Sequence, residues 1–198
     1  MDITWDFSTF REALGFCVGL VYLYLEYKAD VRLWIVSIIM PMISMWVYFS
    51  KGLYADFGIN IYYLVMALYG YLSWTRGGKK KDEEEKAPLP VSHVPLPVLS
   101  GCVATTLVLW GAIWWILVTF TDSTVPVADA FTTAASIVGL WMVARKYAEV
   151  WILWFIVNIV SSALYFYKGL PFYSTLYAIY MVISLFGYRN WLRLIPKP

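Results

Sequence analysis

The stretch Tyr165-Phe-Tyr-Lys-Gly-Leu170 repeats Tyr48-Phe-Ser-Lys-Gly-Leu53 at a distance of 117 residues, and the likeness continues on both sides without a gap. In this register residues 130–191 align with residues 13–74. Further identical pairs are Trp34 with Trp151, Gly70 with Gly187, Tyr71 with Tyr188, and Trp74 with Trp191. An ungapped register of this length predicts a duplicated structural unit rather than a chance match between apolar segments.

The composition is typical of a membrane protein. Hydrophobic residues make up 61% of the 198 residues, charged residues only 14%, and aromatic residues 19%. Soluble domains are roughly half apolar and about a quarter charged. Cys17 and Cys102 lie in apolar runs, and His93, the single histidine, lies in a proline-rich segment. This distribution argues against a zinc site, a disulfide or a catalytic histidine, so no metal and no cofactor are expected.

Seven segments are long and apolar enough to cross a bilayer, which takes roughly 20 residues per helix. They are residues 10–27, 31–50, 53–75, 97–119, 126–145, 148–168 and 171–192. The sequence therefore predicts an all-α membrane protein with seven transmembrane helices. Short Lys-Gly turns join the second segment to the third and the sixth to the seventh, so these neighbours should form antiparallel hairpins.

The duplication divides the seven helices into a 3+1+3 arrangement. Residues 10–75 form a first three-helix repeat and residues 126–192 a second, while the helix at 97–119 has no counterpart and connects the two. Residues 76–96 contain a charge block and three prolines, which predicts a solvated cytoplasmic linker. Because each repeat has three helices, the chain leaves a repeat on the opposite side of the membrane from where it entered. The single connecting helix brings the chain back, so the two repeats should be parallel.

The basic residues predict the orientation. The end that holds the linker and residue 198 has twelve lysines and arginines, whereas the other end has three, Arg11, Lys51 and Lys168. Because basic residues favour the cytoplasmic side, we expect the N-terminus outside and the C-terminus in the cytoplasm.

The sixth segment carries the strongest candidates for binding a ligand. Trp151, Trp154 and Asn158 recur at helical spacing. Two indoles and an amide on one face could hold a flat ring and bond its polar edge, and indole faces attract cations by roughly 0.5–2 kcal/mol. The alternative is structural: a tryptophan can anchor a helix at the membrane interface, and an asparagine can bond the next helix. Further candidates for lining a shared cavity are Asn60, Tyr63, Ser136, Trp141 and Tyr180, each of which could equally be a packing residue.

Several classes of function are disfavoured. No acidic, basic or histidine residue lies near the centre of a predicted span, which favours passive, uncoupled movement of a ligand over pumping. There is no nucleotide-binding loop. A membrane enzyme would need clustered acids, bases or metal ligands, and a nucleic-acid role is opposed by the acids that follow Lys79-Lys-Lys81. A receptor or scaffold that acts through the charged linker stays open as an alternative.

Together these motifs resemble the PnuC family of bacterial vitamin transporters over residues 14–191. The likeness is carried by Tyr48–Asp56, Phe131–Ser136, Trp141–Lys146, the Trp151-x-x-Trp154-x-x-x-Asn158 pattern and Tyr165–Leu170.

The resemblance implies a fold related to the SWEET sugar carriers, in a bacterial inner membrane. It implies facilitated diffusion of an unphosphorylated vitamin, nicotinamide riboside first, which a cytoplasmic vitamin kinase then traps by phosphorylation. It also implies that Trp151, Trp154 and Asn158 contribute to the central site and that copies associate as a homo-oligomer. Thiamine and riboflavin are carried by similar proteins, and the apolar Leu140 beside Trp141 leaves the choice of vitamin open.

Overall fold

The computed structural model describes residues 18–50, 54–80, 83–169 and 171–196. In this part of the chain there are seven helices and one short β-hairpin. The helices are α1 (Val18–Tyr27), α2 (Arg32–Ser50), α3 (Tyr54–Arg76), α4 (Leu96–Phe120), α5 (Pro126–Ala144), α6 (Val150–Tyr167) and α7 (Pro171–Leu194). The hairpin pairs β1 (Gly78–Lys80) with β2 (Glu83–Ala87).

The described helix ends lie within about two residues of the predicted spans, as expected where apolar length sets the helix length. By length and composition α4, α5 and α6, with 25, 19 and 18 residues, can each cross a membrane. Helix α2 continues through Pro41. The predicted turn at Lys51-Gly-Leu53 lies outside the described residues.

The helices before and after α4 are named by their order in the chain. We refer to α1–α3 as the first triplet and to α5–α7 as the second. Helix α2 packs on α3, α6 packs on both α5 and α7, and α3 packs on α5, which joins the triplets. Among the named elements α4 packs only on α5, and Cys102 is its one buried residue. Most large side chains of α4 are therefore exposed on the surface of the chain.

The turn after α1 and the turn after α5 have the same backbone geometry. Ala29 and Lys146, which are 117 positions apart, both adopt the left-handed conformation, with φ of 52° and 54°. Three backbone hydrogen bonds of the first turn have counterparts 117 positions later in the second. In the first turn they run from Lys28 N to Tyr24 O, from Asp30 N to Leu25 O and from Leu33 N to Asp30 O. In the second turn they run from Arg145 N to Trp141 O, from Tyr147 N to Met142 O and from Val150 N to Tyr147 O. We call the end of the molecule that carries these two turns the basic end.

Four buried tryptophans, Trp34, Trp74, Trp151 and Trp191, pack together near the basic end, and we call them the tryptophan quartet. Within the first triplet the ring centroids of Trp34 and Trp74 are 5.5 Å apart with the rings at 90°. Within the second, Trp151 and Trp191 are 5.9 Å apart at 81°. Trp74 and Trp191 meet across the boundary at 6.3 Å. Edge-to-face contacts of this kind add to the free energy of burial.

Two reciprocal hydrogen bonds cross the same boundary. The Trp74 indole N–H donates to the carbonyl of Val143 at 3.0 Å, and the Trp191 indole N–H donates to the carbonyl of Glu26 at 2.9 Å. These carbonyls lie in the last turns of α1 and α5, where helix carbonyls have no partner within the helix. Each triplet thus completes the helix end of the other.

Two glycines make room for the quartet. A Cβ at Gly70 would lie 2.4 Å from the Trp34 ring, and a Cβ at Gly187 would lie 2.3 Å from the Trp151 ring. These distances are too short for any side chain, so glycine is required at both positions for close approach of the helices.

The linker differs from its prediction as a wholly solvated segment, and its hairpin is the departure from an all-helical fold in the described residues. Leu89 N donates to the carbonyl of Trp74, and Ser92 forms a β-bridge with Tyr147 in the turn between α5 and α6. Val91 is buried. The proline-rich half of the linker is therefore a strap across both triplets at the basic end.

The end of this strap is held by Glu149. Its carboxylate lies 2.7 Å from Nδ1 of His93 and accepts a hydrogen bond from the backbone N–H of Val94 at 2.8 Å.

Candidate functional site

A cavity of about 250 Å³ lies between α3 of the first triplet and all three helices of the second. We call it the chamber. Its lining comes from one face of each helix, because on α5 and α6 the lining residues follow spacings of three and four. They are Ile59 and Tyr63 of α3, Asp129, Thr132, Thr133, Ser136 and Ile137 of α5, Val157, Ser161, Leu164 and Tyr165 of α6, and Tyr177 of α7.

Hydroxyl groups give the α5 wall its polar character. Thr132 and Thr133 both donate to the carbonyl of Asp129 one turn earlier, at 3.1 and 2.8 Å. These bonds satisfy the hydroxyl protons inside the helix and leave oxygen lone pairs as acceptors towards the chamber. A ligand with hydroxyl or amide donors would suit this wall.

Stacked tyrosines form the opposite wall. The rings of Tyr165 and Tyr177 are 5.1 Å apart and 12° from parallel, and Tyr173 stacks on the outer side of Tyr165 at 5.4 Å. Tyr180 meets Tyr177 edge to face at 6.0 Å. The chamber therefore offers a flat aromatic surface next to hydroxyl oxygens, which suits a ligand with a planar ring and a polar substituent.

One carboxylate lies at the end of the chamber remote from the basic end. Asp129 pairs with Nζ of Lys168 at 3.3 Å and accepts a hydrogen bond from the Ser123 hydroxyl at 3.0 Å. Among the described lining residues Asp129 is the only acid, and none is basic. Because Lys168 pairs with Asp129, the two charges offset each other, and the chamber carries little net charge.

The three principal sequence candidates lie beside the chamber, on α6, and do not line it. Trp151 belongs to the tryptophan quartet and is 1% exposed. Asn158, 9% exposed, donates from its amide nitrogen to the Ser184 hydroxyl on α7 at 3.2 Å. Trp154 donates its indole N–H to the carboxylate of Glu26 on α1 at 2.8 Å. The helix-bonding alternative thus describes the contact of Asn158 in this structure.

The other five candidates divide into three groups. Tyr63 and Ser136 line the chamber. Trp141 lines a separate, apolar groove of about 480 Å³ between α3, α4 and α5. Asn60 is half-buried next to the lining residue Ile59, and Tyr180 contacts the chamber wall through Tyr177.

Sequence reasoning missed Tyr165 and Asp129 as chamber residues. Tyr165 lies seven residues, or about two helical turns, after Asn158, so the helical stripe of Trp151, Trp154 and Asn158 leads to it as well. It was assigned to the repeated turn motif instead. Asp129 lies in the first turn of α5. A position near a helix end did not suggest that its side chain would line the chamber.

Glu26 was also missed. It lies at the end of α1 and is 3% exposed, although the sequence places it towards the end of a span. No cluster of three or more possible metal ligands occurs in the part of the chain that the structure describes.

Long apolar helices around a chamber with aromatic and hydroxyl walls are the construction of a multi-pass membrane transporter for a small molecule. Comparison with known proteins agrees with this class. Residues 9–193 match the family described as nicotinamide mononucleotide transporter, and the chain belongs to that family. It is a family of transporters and not of enzymes.

Individual relatives are distant but cover most of the chain. The nicotinamide riboside transporter PnuC of Escherichia coli (strain K12) is 23% identical over 96% of this chain and 86% of its own length. PnuC of Neisseria mucosa is 27% identical over 86% of this chain and 67% of its own length. The riboflavin/roseoflavin transporter RibM of Streptomyces davaonensis is 25% identical over 91% of this chain and 83% of its own length.

The fold has a counterpart among solved structures. The crystal structure of the vitamin B3 transporter PnuC superimposes with a TM-score of 0.62 at 23% identity, over 90% of this chain and 78% of that one. This similarity extends to the overall fold of the chain.

Proposed function

We propose that the protein imports an unphosphorylated vitamin, nicotinamide riboside, through the chamber. The observation that carries this proposal is the chamber lining, in which a stacked tyrosine surface and hydroxyl oxygens accompany a single carboxylate. Nicotinamide riboside has a planar cationic ring and a ribose rich in hydroxyl donors. Tyrosine faces attract such a cation.

The lack of a basic side chain among the described lining residues favours the riboside over its phosphorylated form. A phosphate group is recognised by arginine, lysine or helix N-termini. The described lining has no basic side chain, and the nearby Lys168 is already paired with Asp129. A phosphate that entered the chamber would lose its hydration without gaining a cationic partner. Nicotinamide mononucleotide is therefore disfavoured as the cargo.

The size of the chamber suits a vitamin with a single ring and one sugar. Its volume of about 250 Å³ lies slightly below the usual range for ligand pockets, roughly 300–1,000 Å³. A single ring with one sugar suits this space better than a dinucleotide.

The 3+1+3 arrangement is part of the proposal. We infer two parallel three-helix repeats, residues 10–75 and 126–192, joined by the helix at 97–119. The matched turns, the reciprocal tryptophan hydrogen bonds and the paired glycines support this, since all are related by the same 117-residue shift.

We further propose a bacterial inner-membrane location with the basic end in the cytoplasm, on the basis of the basic residues. Transport is then facilitated diffusion, and a cytoplasmic kinase traps the vitamin by phosphorylation. Coupling to a proton or sodium gradient would appear as stimulation of uptake by an imposed gradient, and we expect none.

Riboflavin is the second candidate, because RibM is among the relatives. Riboflavin also has a planar ring and a polyol chain, but its ring is neutral and larger. Thiamine, which is cationic and lacks a ribose, is the third.

Counterflow in proteoliposomes tests the proposal. Vesicles loaded with unlabelled nicotinamide riboside, thiamine, riboflavin or nicotinamide mononucleotide are diluted into labelled nicotinamide riboside. We expect accumulation of label with the riboside inside and none with the mononucleotide. Absence of exchange with all four compounds would overturn the proposal.

A matched pair of tyrosines links the transport to the chamber. Tyr177→Ala removes part of the stacked wall and should reduce exchange by about tenfold or more. Tyr167→Ala changes a tyrosine that is 75% exposed and outside the chamber, and should leave exchange unchanged.

A further inference from the structure

Glu26 makes a buried contact that connects the two triplets. Its carboxylate on α1 accepts the indole N–H of Trp154 on α6 at 2.8 Å, although the residues are 128 positions apart. The side chain is 3% exposed. A carboxylate in such surroundings is retained against a large cost of desolvation, which indicates a role beyond packing.

The other side of the same indole is fixed by Gly139. A Cβ at this position would lie 2.8 Å from the Trp154 ring, so only glycine allows the ring to lie against α5. Trp154 is therefore held between a hydrogen-bond acceptor on α1 and the backbone of α5.

These three residues form the place where the two halves of the chain differ most clearly. At the positions shifted by 117 residues, Trp154 corresponds to Ser37, Glu26 to Val143, and Gly139 to Tyr22. Ser37 bonds its own helix, donating to the carbonyl of Leu33. The neighbouring quartet is matched in both halves, whereas this contact occurs once.

The indole lies at the basic-end side of the chamber. Trp154 is one helical turn before Val157, which lines the chamber, and Gly139 follows two residues after the lining residue Ile137. Between this position and the basic end lie the quartet and the strap. Trp154 itself does not line the chamber, so its indole lies behind the lining residues on this side, and we call it the floor of the chamber.

We propose that Glu26 is a positioning residue for transport: its carboxylate holds the Trp154 indole across the boundary between the triplets as the floor of the chamber. The inference rests on the proposed function, because it assigns the floor of the site through which the vitamin would pass. Glu26 acts through Trp154 and does not itself touch the vitamin. Displacement of the floor would shift the neighbouring lining residues, and a misplacement of about 1 Å at a binding site can cost about 100-fold in activity.

Three substitutions separate positioning from other roles. Glu26→Gln keeps an oxygen that accepts the indole N–H, whereas Glu26→Leu is similar in size and removes the acceptor. Trp154→Phe removes the N–H itself. Glu149→Gln is the matched control, because Glu149 is an acid near the basic end that contacts the strap and not Trp154.

In counterflow we expect Glu26→Leu to raise the half-saturating concentration of the vitamin about tenfold or more. Glu26→Gln and Glu149→Gln should stay within about threefold of the unmodified protein. In a Trp154→Phe background Glu26→Leu should add no further loss, because the two residues act as one unit. Loss of exchange with Glu26→Gln, or full additivity of the two substitutions, would overturn the inference.

A second readout needs no vitamin. Ser161→Cys places a thiol in the chamber of a protein in which Cys17 and Cys102 are replaced by serine. We expect a water-soluble maleimide to label this thiol faster with Glu26→Leu than with Glu26→Gln. Equal labelling rates would refute the floor, whatever the counterflow result. Absence of exchange by the unmodified protein would instead refute the proposed function alone.

Discussion

Addition of a single methyl group at Gly187 provides a direct test of the packing between helices. Its Cβ would lie 2.3–2.5 Å from three atoms of the Trp151 ring, which is 1% exposed and packs on Trp191 at 5.9 Å. The ring has no free space into which it could move. We therefore expect an overpacking cost at the upper end of its usual range, about 3 kcal/mol.

Part of this cost is offset by the backbone. Alanine in a helix is favoured over glycine by about 1 kcal/mol. The net loss for Gly187→Ala is then about 2 kcal/mol, which corresponds to a fall in melting temperature of roughly 4–8 °C for a chain of this size. Gly70→Ala should behave in the same way, because its Cβ would meet Trp34 at 2.4 Å.

Gly111→Ala on α4 is the matched control. Nothing lies within 4 Å of the position of its Cβ, so it gains the helix-propensity term without a clash and should melt at a slightly higher temperature. The assay is thermal unfolding of the detergent-purified proteins, followed by fluorescence. If Gly187→Ala melts at or above the temperature of Gly111→Ala, the reasoning from ring contact is wrong.

Three further outcomes follow from the contacts of the site and the basic end. Asn158→Ala removes the hydrogen bond to Ser184 and should lower the free energy of unfolding by about 0.6 kcal/mol, measured by thermal unfolding. Loss of vitamin exchange without loss of fold would instead mean that the amide contacts the vitamin. Burial lowers the pKa of Lys146 to about 8 from 10.5, so the unfolded chain holds one more proton between these values and stability should rise with pH over that interval. Lys146→Gln should remove this rise in melting curves taken across the interval, even though the Trp74 ring 4.3 Å from Nζ favours the charged form. Deletion of residues 79–86 removes most of the hairpin and spares the strap, so counterflow should persist; its loss would support the receptor reading of the linker.

The helices were predictable because a bilayer leaves the backbone few alternatives. Every spanning segment must satisfy its own hydrogen bonds, so apolar length determines helix position. The linker was less predictable. Its charge and prolines argued for a solvated segment, yet Val91 is buried and Ser92 forms an isolated β-bridge with Tyr147 in the turn between α5 and α6.

The site was harder to predict, since its contacts lie between distant parts of the chain. The spacing on α6 identifies the face shared by Trp151, Trp154 and Asn158, but not which neighbour each residue meets. In the structure Trp151 packs in the quartet, Trp154 donates to Glu26 on α1, and Asn158 donates to a residue of α7. Helical periodicity reports the direction of a side chain, and only the fold determines what lies there.

The reciprocal bonds of Trp74 and Trp191 bear on how such a chain could originate. A surface that offers the same donor and the same acceptor to its counterpart is what builds two-fold homodimers. The product of a gene that encodes a single triplet could form a homodimer around these two bonds. Any residue would then be present in both copies or in neither. Fusion of two copies through α4 removes that restriction, and an unpaired feature such as the bond between Glu26 and Trp154 becomes accessible to selection.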